Sequence, residues 1–478
     1  MFKVIRYTLA ILAVSASCAK AQQQIADTVL TLQQCLDIGI KNNLMIKQSE
    51  LQMQTNRIYW EQARENLLPT LNGNVTHTVS QGRSLNPFTN GYLNQPITSA
   101  NYGLGSSLVL SSGLTLQHSI RQTALAYQAG QMDFEQAKNK LTLDLIIAYF
   151  QVLNSEDQLK QANTQADVSQ KQVERTNILN KEGAVTPSQL FDLKGQLAGD
   201  KGNVVNARNT LEIAKLNILQ LMNVQYRKNV RFERQLGDNA PTAYPQNADD
   251  VYAIALNDFA LIKAGTLRRE SAEKGLKVAK GALLPTLTLS GGLNTNYSSA
   301  AQRSIFRDSA AAPTGMYINT PAGRQTVFET RSNFDNQKIS YGDQFRNNYS
   351  TSASIGLSIP VFNYFQNKNR ISLAKINVQS AKYTEQANQV QLKVSVDQAY
   401  VNMDAAFERY QLLVSQVDAY AESFRIAEAR FNAGAIQSVE FLVVKGNLDR
   451  SRTNLINARY DYLIRTRVLD YYQGKLSL

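Results

Sequence analysis

Apolar residues change their spacing abruptly at two places along the chain, and both places carry the same five residues. Leu67-Leu68-Pro69-Thr70-Leu71 returns 216 positions later as Leu283-Leu284-Pro285-Thr286-Leu287. Before each copy the apolar positions follow a helical rhythm; after it they alternate every second residue, as in a strand with two unlike faces. Proline explains the sharpness of the change. It cannot donate the helical hydrogen bond, and it drives the preceding residue out of the α region. Pro69 and Pro285 are therefore helix-to-strand breaks, in register with an internal duplication.

The alternation predicts four strands. Over 70–80, Leu71, Val75 and Val79 oppose Asn72, Asn74, Thr76 and Thr78; over 102–112, Tyr102, Leu104, Leu108 and Leu110 oppose Gly103, Gly105, Ser107 and Ser111. The segments 286–299 and 349–361 repeat the pattern, the last with Ala353, Ile355, Leu357 and Ile359 against Ser352, Ser354, Gly356 and Ser358. None contains Asp, Glu, Lys or Arg. Strands of about 11–14 residues suit a tilted membrane crossing. A soluble barrel or sandwich shares the alternation, but its solvent face recruits charges; small uncharged residues suit a crowded lumen. Segments 81–100 and 300–348 read as loops at the outer end, the second holding Arg303, Arg307, Tyr317, Arg324, Phe328, Phe334 and Tyr341.

The rest reads as helix. Segment 31–68 predicts a short helix, a break near Lys41-Asn42-Asn43 and a longer helix, and 249–284 is its counterpart, with Asp249 or Asp250 as cap. In a helix over 119–181, Leu141, Leu145, Ala148, Val152, Ser155, Leu159, Ala162 and Ala166 keep one seam toward a partner. The return helix starts near Pro187 and carries Leu190, Leu197, Val204, Leu211 and Ile218, which Phe441, Leu448, Leu455, Tyr462 and Leu469 match at an offset of 251. The turns are Gly183-Ala184-Val185 and Gly434-Ala435-Ile436, where glycine supplies a left-handed backbone. The organisation is thus a signal peptide over 1–21, a first repeat over 22–223 (coiled hairpin 119–223), a connecting segment over 224–248 and a second repeat over 249–478 (coiled hairpin 364–472).

Lys3 and Arg6, the apolar run 9–14 and Ala19-Lys20-Ala21 make the leader a secretory signal; Cys18 offers the rival reading of a lipid-modified first residue. The Gln-rich start of the mature chain is expected not to pack. The formal charge is +12, of which Lys3, Arg6 and Lys20 belong to the leader. No basic stripe or nucleic-acid motif accompanies that charge, so a nucleic-acid partner is not expected. Outside the leader Cys35 is the one cysteine, which excludes an internal disulfide and points to core packing. The two histidines, His77 and His118, have no ligand-spaced companions, and neither a nucleophile elbow nor a phosphate loop is present. No enzyme activity, metal or cofactor is expected. No stretch is long and apolar enough for a membrane helix, so a membrane role must use strands.

Four strands cannot close a barrel, and open edges are not tolerated in hydrocarbon. Several copies must share one barrel; two copies with eight strands and three with twelve both satisfy this. With the duplicated helix, Leu-Pro, strand pattern, Ala148-Tyr149 and Ala399-Tyr400, the two glycine turns and the run Ala458-Arg459-Tyr460-Asp461-Tyr462-Leu463, the chain resembles the outer-membrane efflux protein family, the TolC-like channels. The resemblance implies a mixed α/β membrane protein. It would be one protomer of a homotrimer with a shared twelve-stranded barrel, four strands per chain, in the outer membrane of a Gram-negative bacterium and in contact with its lipid. A helical tunnel would lie in the periplasm. It also implies a periplasmic adaptor (membrane-fusion) protein and an inner-membrane efflux pump as partners, with a secretion transporter for peptides or proteins as the alternative. A coiled-coil surface protein of structural or adhesin type is a third class, which the uncharged strands argue against.

By that resemblance the pore entrance falls at Glu440, Gln189, Val443 and Ile436, and the adaptor-contact tips at Gly183, Ala184, Val185, Gly434, Ala435 and Ile436. Glu440 stands where the family often has an acid. Val443 replaces a second acid, Ile436 an arginine and Gln189 its acidic partner. Closure is therefore expected to rest on packing and neutral hydrogen bonds, without an ionic latch between the halves.

Overall fold

The sequence breaks at Pro69 and Pro285 become structural ones. In the computed structural model, which describes residues 29–85, 90–234 and 241–476, helix ends just before each proline and strand begins just after it. The segment 1–21 expected to be a signal peptide, with Cys18, and residues 22–28 lie outside the described residues. From Val29 the chain does pack: β1 (Val29–Leu30) pairs in parallel with β6 (Arg231–Phe232) in the connecting segment.

Helices come in matched lengths in the two halves. α1 (Leu32–Asn42) and α5 (Ala248–Asp258) have 11 residues each; α2 (Leu44–Glu65) and α6 (Ala260–Gly281) have 22. α3 (Thr115–Lys181) and α8 (Gln366–Asn432) have 67, and α4 (Pro187–Leu221) and α9 (Ser438–Tyr472) have 35. Local chemistry sets their ends. Thr31 and Gln34 form a reciprocal capping box on α1, and Asn43 breaks α1 from α2 by accepting from the amides of Met45 and Ile46 while donating to the Leu221 carbonyl. At α5 neither Asp249 nor Asp250 is the cap. Asn247 is, its Oδ1 accepting the Asp250 amide at 2.8 Å. The two acids sit in the first turn, where Asp249 is drawn to Lys393 at 2.6 Å.

The described residues of Met1–Arg57, Leu125–Glu270 and Gln379–Leu478 make one compact unit, and those of Ile58–Ala124 and Ser271–Val378 a second. In the first unit most of the expected seam residues are buried, Leu141, Leu145, Ala148 and Val152 on α3, Leu190, Leu197, Leu211 and Ile218 on α4, and Phe441, Leu448, Tyr462 and Leu469 on α9, while Leu159, Val204 and Leu455 are half-buried. Cys35 is fully buried against them, and burial pushes its thiol up to about 12. It is therefore an inert core residue. The first Ala-Tyr position also gains a reason. Tyr149 is buried with its hydroxyl donating to the carbonyls of Leu30 and Glu233, which clips the β1–β6 pair to α3.

The second unit holds a four-stranded antiparallel sheet in the order β10-β7-β5-β2, with β2 Thr70–Ser80, β5 Ile97–Ser112, β7 Thr286–Ser298 and β10 Ser350–Ser358. Segment 300–348 is not the irregular loop expected. It is a long hairpin, β8 (Gln302–Thr320) with β9 (Gly323–Lys338), followed by the short helix α7 (Tyr341–Asn347). Its strands hide from period-two reading because both faces mix apolar and charged residues. Cross-strand pairs hold it instead, including Phe306 with Phe334 at 6.0 Å between ring centroids and Arg307 with Asp335 at 3.4 Å. A shorter hairpin, β3 (Ser84–Leu85) with β4 (Tyr92–Leu93), lies in segment 81–100.

Candidate functional site

Register decides what the sheet can do. Leu108, Leu289 and Ile355 stand side by side on β5, β7 and β10, and Val75, Tyr102 and Thr295 on β2, β5 and β7. One residue away, Asn74, Gly103, Asn294 and Ser350 form a continuous polar row, and so do Asn72, Gly105, Gly292 and Ser352. One face is thus mainly apolar, with His77, Ser106, Thr295 and Thr351 among its leucines, valines and tyrosines, and the other is small, polar and uncharged. Gly103 leaves room for its polar neighbours: a Cβ there would sit 2.4 Å from Asn74 Oδ1 and 2.9 Å from Asn294 Oδ1, so both amide side chains would have to turn away. Among the described residues, β2 and β10 each have one neighbour in the sheet, so each leaves an edge unpaired.

Aromatic rings collect at both ends of the apolar face. At the end remote from the prolines, Tyr102 meets Phe345 at 5.4 Å and Tyr297 meets Tyr341 at 4.8 Å. α7 is fixed there by the buried Gln344, whose Nε2 donates to Ser298 O and Ile339 O and whose Oε1 accepts the Ser298 amide. At the other end Phe362, Tyr364 and Phe365 project into the open, Tyr364 with 83 % exposure. Alternation reveals Tyr102 and Tyr297 but not Tyr341, Phe345, Phe362, Tyr364 and Phe365, which lie outside the alternating segments.

The two hairpin tips are built alike. Gly183 and Gly434 take φ of 71° and 73°. The amide of Ala184 donates to Leu179 O and that of Gly183 to Asn180 O; Ala435 donates to Arg430 O and Gly434 to Phe431 O. This double bond pattern closes a helix on a left-handed residue. Ile436 is buried among Val173, Leu190, Leu193, Leu197 and Phe441, so the residue standing where the family often has arginine packs the second tip against the first half. Glu440 is exposed and lies 3.6 Å from Arg430, on the neighbouring helix of its own half. Val443 is exposed and Gln189 half-buried. Arg175 Nη2 donates to the Asn432 carbonyl at 2.7 Å, a bond from one half to the other near the tips.

An ion pair does cross between the halves, contrary to expectation, but deeper along the helices. Lys445 Nζ lies 3.0 Å from Asp200 Oδ2 and 2.6 Å from Asp449 Oδ2, with Lys445 and Asp200 each 3 % exposed. Asp200 also accepts from Ser169 Oγ at 2.6 Å and Gln196 Nε2 at 2.9 Å. Burial pushes the Asp449 carboxyl up, opposed by its bond to Lys445. Half of the signal was present in the sequence: Asp200 falls in a seven-residue line with Leu193, Ala207 and Ala214, whereas Lys445 falls in line with Ser438, Arg452 and Arg459 and does not stand out.

Among the described residues no group of three or more His, Cys, Asp and Glu could hold a metal, and no helix is long and apolar enough to cross a membrane. The chain is 23 % identical over 419 residues to the outer membrane protein TolC of Escherichia coli (strain K12), covering 87 % of this chain and 76 % of that protein. Its structure matches the Campylobacter jejuni CmeC outer membrane channel with a TM-score of 0.74 at 15 % identity, over 93 % of this chain and 86 % of that one. It matches the open state of the Neisseria gonorrhoeae MtrE outer membrane channel with a TM-score of 0.70 at 17 % identity, over 93 % and 89 %. The mixed α/β fold is that of these channels. Residues 35–224 and 251–474 both match the outer membrane efflux protein family, and the chain belongs to that family.

Proposed function

We propose that the protein is the passive outer-membrane exit duct of a tripartite efflux system, and that it works as a homotrimer. The observation that carries this reading is the register of the four-stranded sheet, which segregates lipid-compatible from water-compatible side chains while leaving two edges open. In hydrocarbon those edges must pair with sister chains. Eight strands enclose little more than their own side chains, whereas a duct needs a wider bore. Three chains, and hence twelve strands, meet that need.

Each repeat, 22–223 and 249–478, supplies two strands and one coiled hairpin, and 224–248 connects them. The sheet lies in the outer membrane and the helical hairpins in the periplasm. The tips at Gly183 to Val185 and Gly434 to Ile436 dock the periplasmic adaptor, through which an inner-membrane pump delivers cargo. The protein itself does no covalent chemistry; energy and cargo choice come from the partners.

Glu440, beside Gln189 and Val443, lines the entrance. Three symmetry-related carboxylates around one axis attract cations and repel anions. In planar bilayers the purified assembly should conduct without an energy source and prefer cations. Glu440→Gln should reduce that preference severalfold; unchanged selectivity removes Glu440 from the entrance, and an absence of conductance contradicts the duct.

A further inference from the structure

At the proline end of the sheet the second unit gathers positive charge. α3 opens there with His118 and Arg121, and α6 closes there with Lys274, Lys277 and Lys280. The two helices are locked together by Ser271 Oγ donating to the Gln122 carbonyl at 2.9 Å, and Gly275 leaves room for the Gln122 side chain. His118 is crowded by three of these cations. Its pKa is lowered by burial first and then by Lys277, Arg121 and Lys274, which disfavours the charged ring, and its buried Nδ1 has no hydrogen-bond partner. The start of α8 adds Lys368 and Arg370. Glu273 lies on the same stretch of α6, and Glu61 and Glu65 with Arg64 end α2. Even so, among the described residues no ion pair involves Arg121, Lys274, Lys277 or Lys280.

The same level is marked by a second, independent feature. Tyr364 and Phe365 hold left-handed backbones, φ 55° and 60°, which non-glycine residues rarely adopt. The turn is kept in place by Asn367 Nδ2, donating to the Ala282 carbonyl at the end of α6 at 2.9 Å. Its effect is to present Phe362, Tyr364 and Phe365 outward, with Lys368 Nζ 5.6 Å from the Phe365 ring centroid. Exposed aromatics at one end of an apolar strand band mark the boundary between hydrocarbon and headgroups. Lys280 and Lys368 stand at that boundary, and Lys277 and Lys274 follow one and two helical turns further out.

Like charges gathered in excess and outside ion pairs repel one another. They are stable together when an anionic surface covers them. We propose that this strip binds the phosphate groups of anionic phospholipid in the periplasm-facing leaflet of the outer membrane. The proposal rests on the reading that the four strands span that membrane. Lipid is favoured over a free anion because the cations line up beneath the aromatic rim instead of converging on one pocket.

The test uses the full assembly in nanodiscs of equal phosphatidylcholine and phosphatidylglycerol, with the lipid that stays bound after detergent extraction measured by mass spectrometry. The wild type should retain phosphatidylglycerol in excess. The triple variant Lys274→Gln, Lys277→Gln, Lys280→Gln should lose that excess by roughly tenfold or more, since each cation near an anionic surface adds to the attraction. The corresponding Lys→Arg triple variant should keep it. Equal phosphatidylglycerol in wild type and Gln variant, with conductance intact, overturns the strip while leaving the membrane-spanning reading untouched. So does complete displacement of the lipid by inorganic phosphate at matching concentration, which points to a simple anion site. A change in ion selectivity without a change in bound lipid places the strip on the bore and also overturns the proposal. A wild-type chain that fails to enter the bilayer overturns both readings.

Discussion

Lys445→Met should destabilise the helical unit by about 3–5 kcal/mol, the penalty of leaving a buried carboxylate without its counter-charge. Asp200 is as buried as Lys445, and after the substitution only the neutral donors Ser169 and Gln196 face it. Replacing Lys445 and Asp200 together removes the more buried of the two uncompensated carboxylates and leaves only Asp449, so Lys445→Met with Asp200→Leu should recover part of the loss. The measurement is unfolding in denaturant followed by helical circular dichroism. Burial already raises the Asp449 carboxyl, and loss of Lys445 removes the bond that opposes the rise. A carboxyl whose folded pKa lies above its unfolded value stabilises the fold when protonated, and loses that contribution as pH rises through the folded pKa. The deficit of the single variant should therefore shrink as pH falls from neutral. Equal stability of wild type and Lys445→Met contradicts the buried pair.

Gly281→Val should abolish assembly. A Cβ at Gly281 would lie 2.6 Å from the Gly113 carbonyl oxygen and 2.7 Å from Thr115 Cγ2; one at Gly113 would lie 2.5 Å from the Gly281 carbonyl oxygen and from Leu284 Cβ. The end of α6 and the start of α3 therefore cross backbone to backbone, just where each joins its strand. Gly113 also has φ +61°, which adds strain for any side chain placed there. Overpacking at rigid backbone has no flexible side chain to absorb it, and a cost of about 3 kcal/mol or more is expected. The amount of oligomer recovered from outer membranes should fall to background. Gly195→Ala is the matched control: nothing lies within 4 Å of its Cβ position, and alanine favours the helix by roughly 0.5–1 kcal/mol. Normal recovery of the Gly281→Val assembly contradicts the close crossing.

Much of the fold was legible because the strands have two chemically unlike faces. β2 begins and ends at the residues where alternation begins and ends, and β7 and β10 nearly so. β5 reaches back to Ile97 instead of 102, through residues whose two faces are not distinct. The β8–β9 ribbon was illegible for the same reason in stronger form: Ile305 stands opposite Asp335 and Ala310 opposite Arg331, so neither face is uniformly apolar. The cap of α5 shows a different limit. Asn247 and Asp249 are both competent caps by type, and the competition of Lys393 for Asp249 is a tertiary contact that local sequence does not contain. At the tips the turn glycines were plain, but the role of Ile436 depends on Leu190, Leu193 and Leu197 from the other half. Of the charged pair only Asp200 had a readable sign, a carboxylate in line with Leu193, Ala207 and Ala214; Lys445 shares its line with Ser438, Arg452 and Arg459.

The sharing of one barrel by sister chains is tested most directly by the mass of the protein purified from outer membranes in mild detergent, with the detergent contribution subtracted. Light scattering should return about three times the mass of the mature chain, and dilution in detergent should not divide it. A single chain, monodisperse and stable after the detergent is removed, contradicts the account at its root.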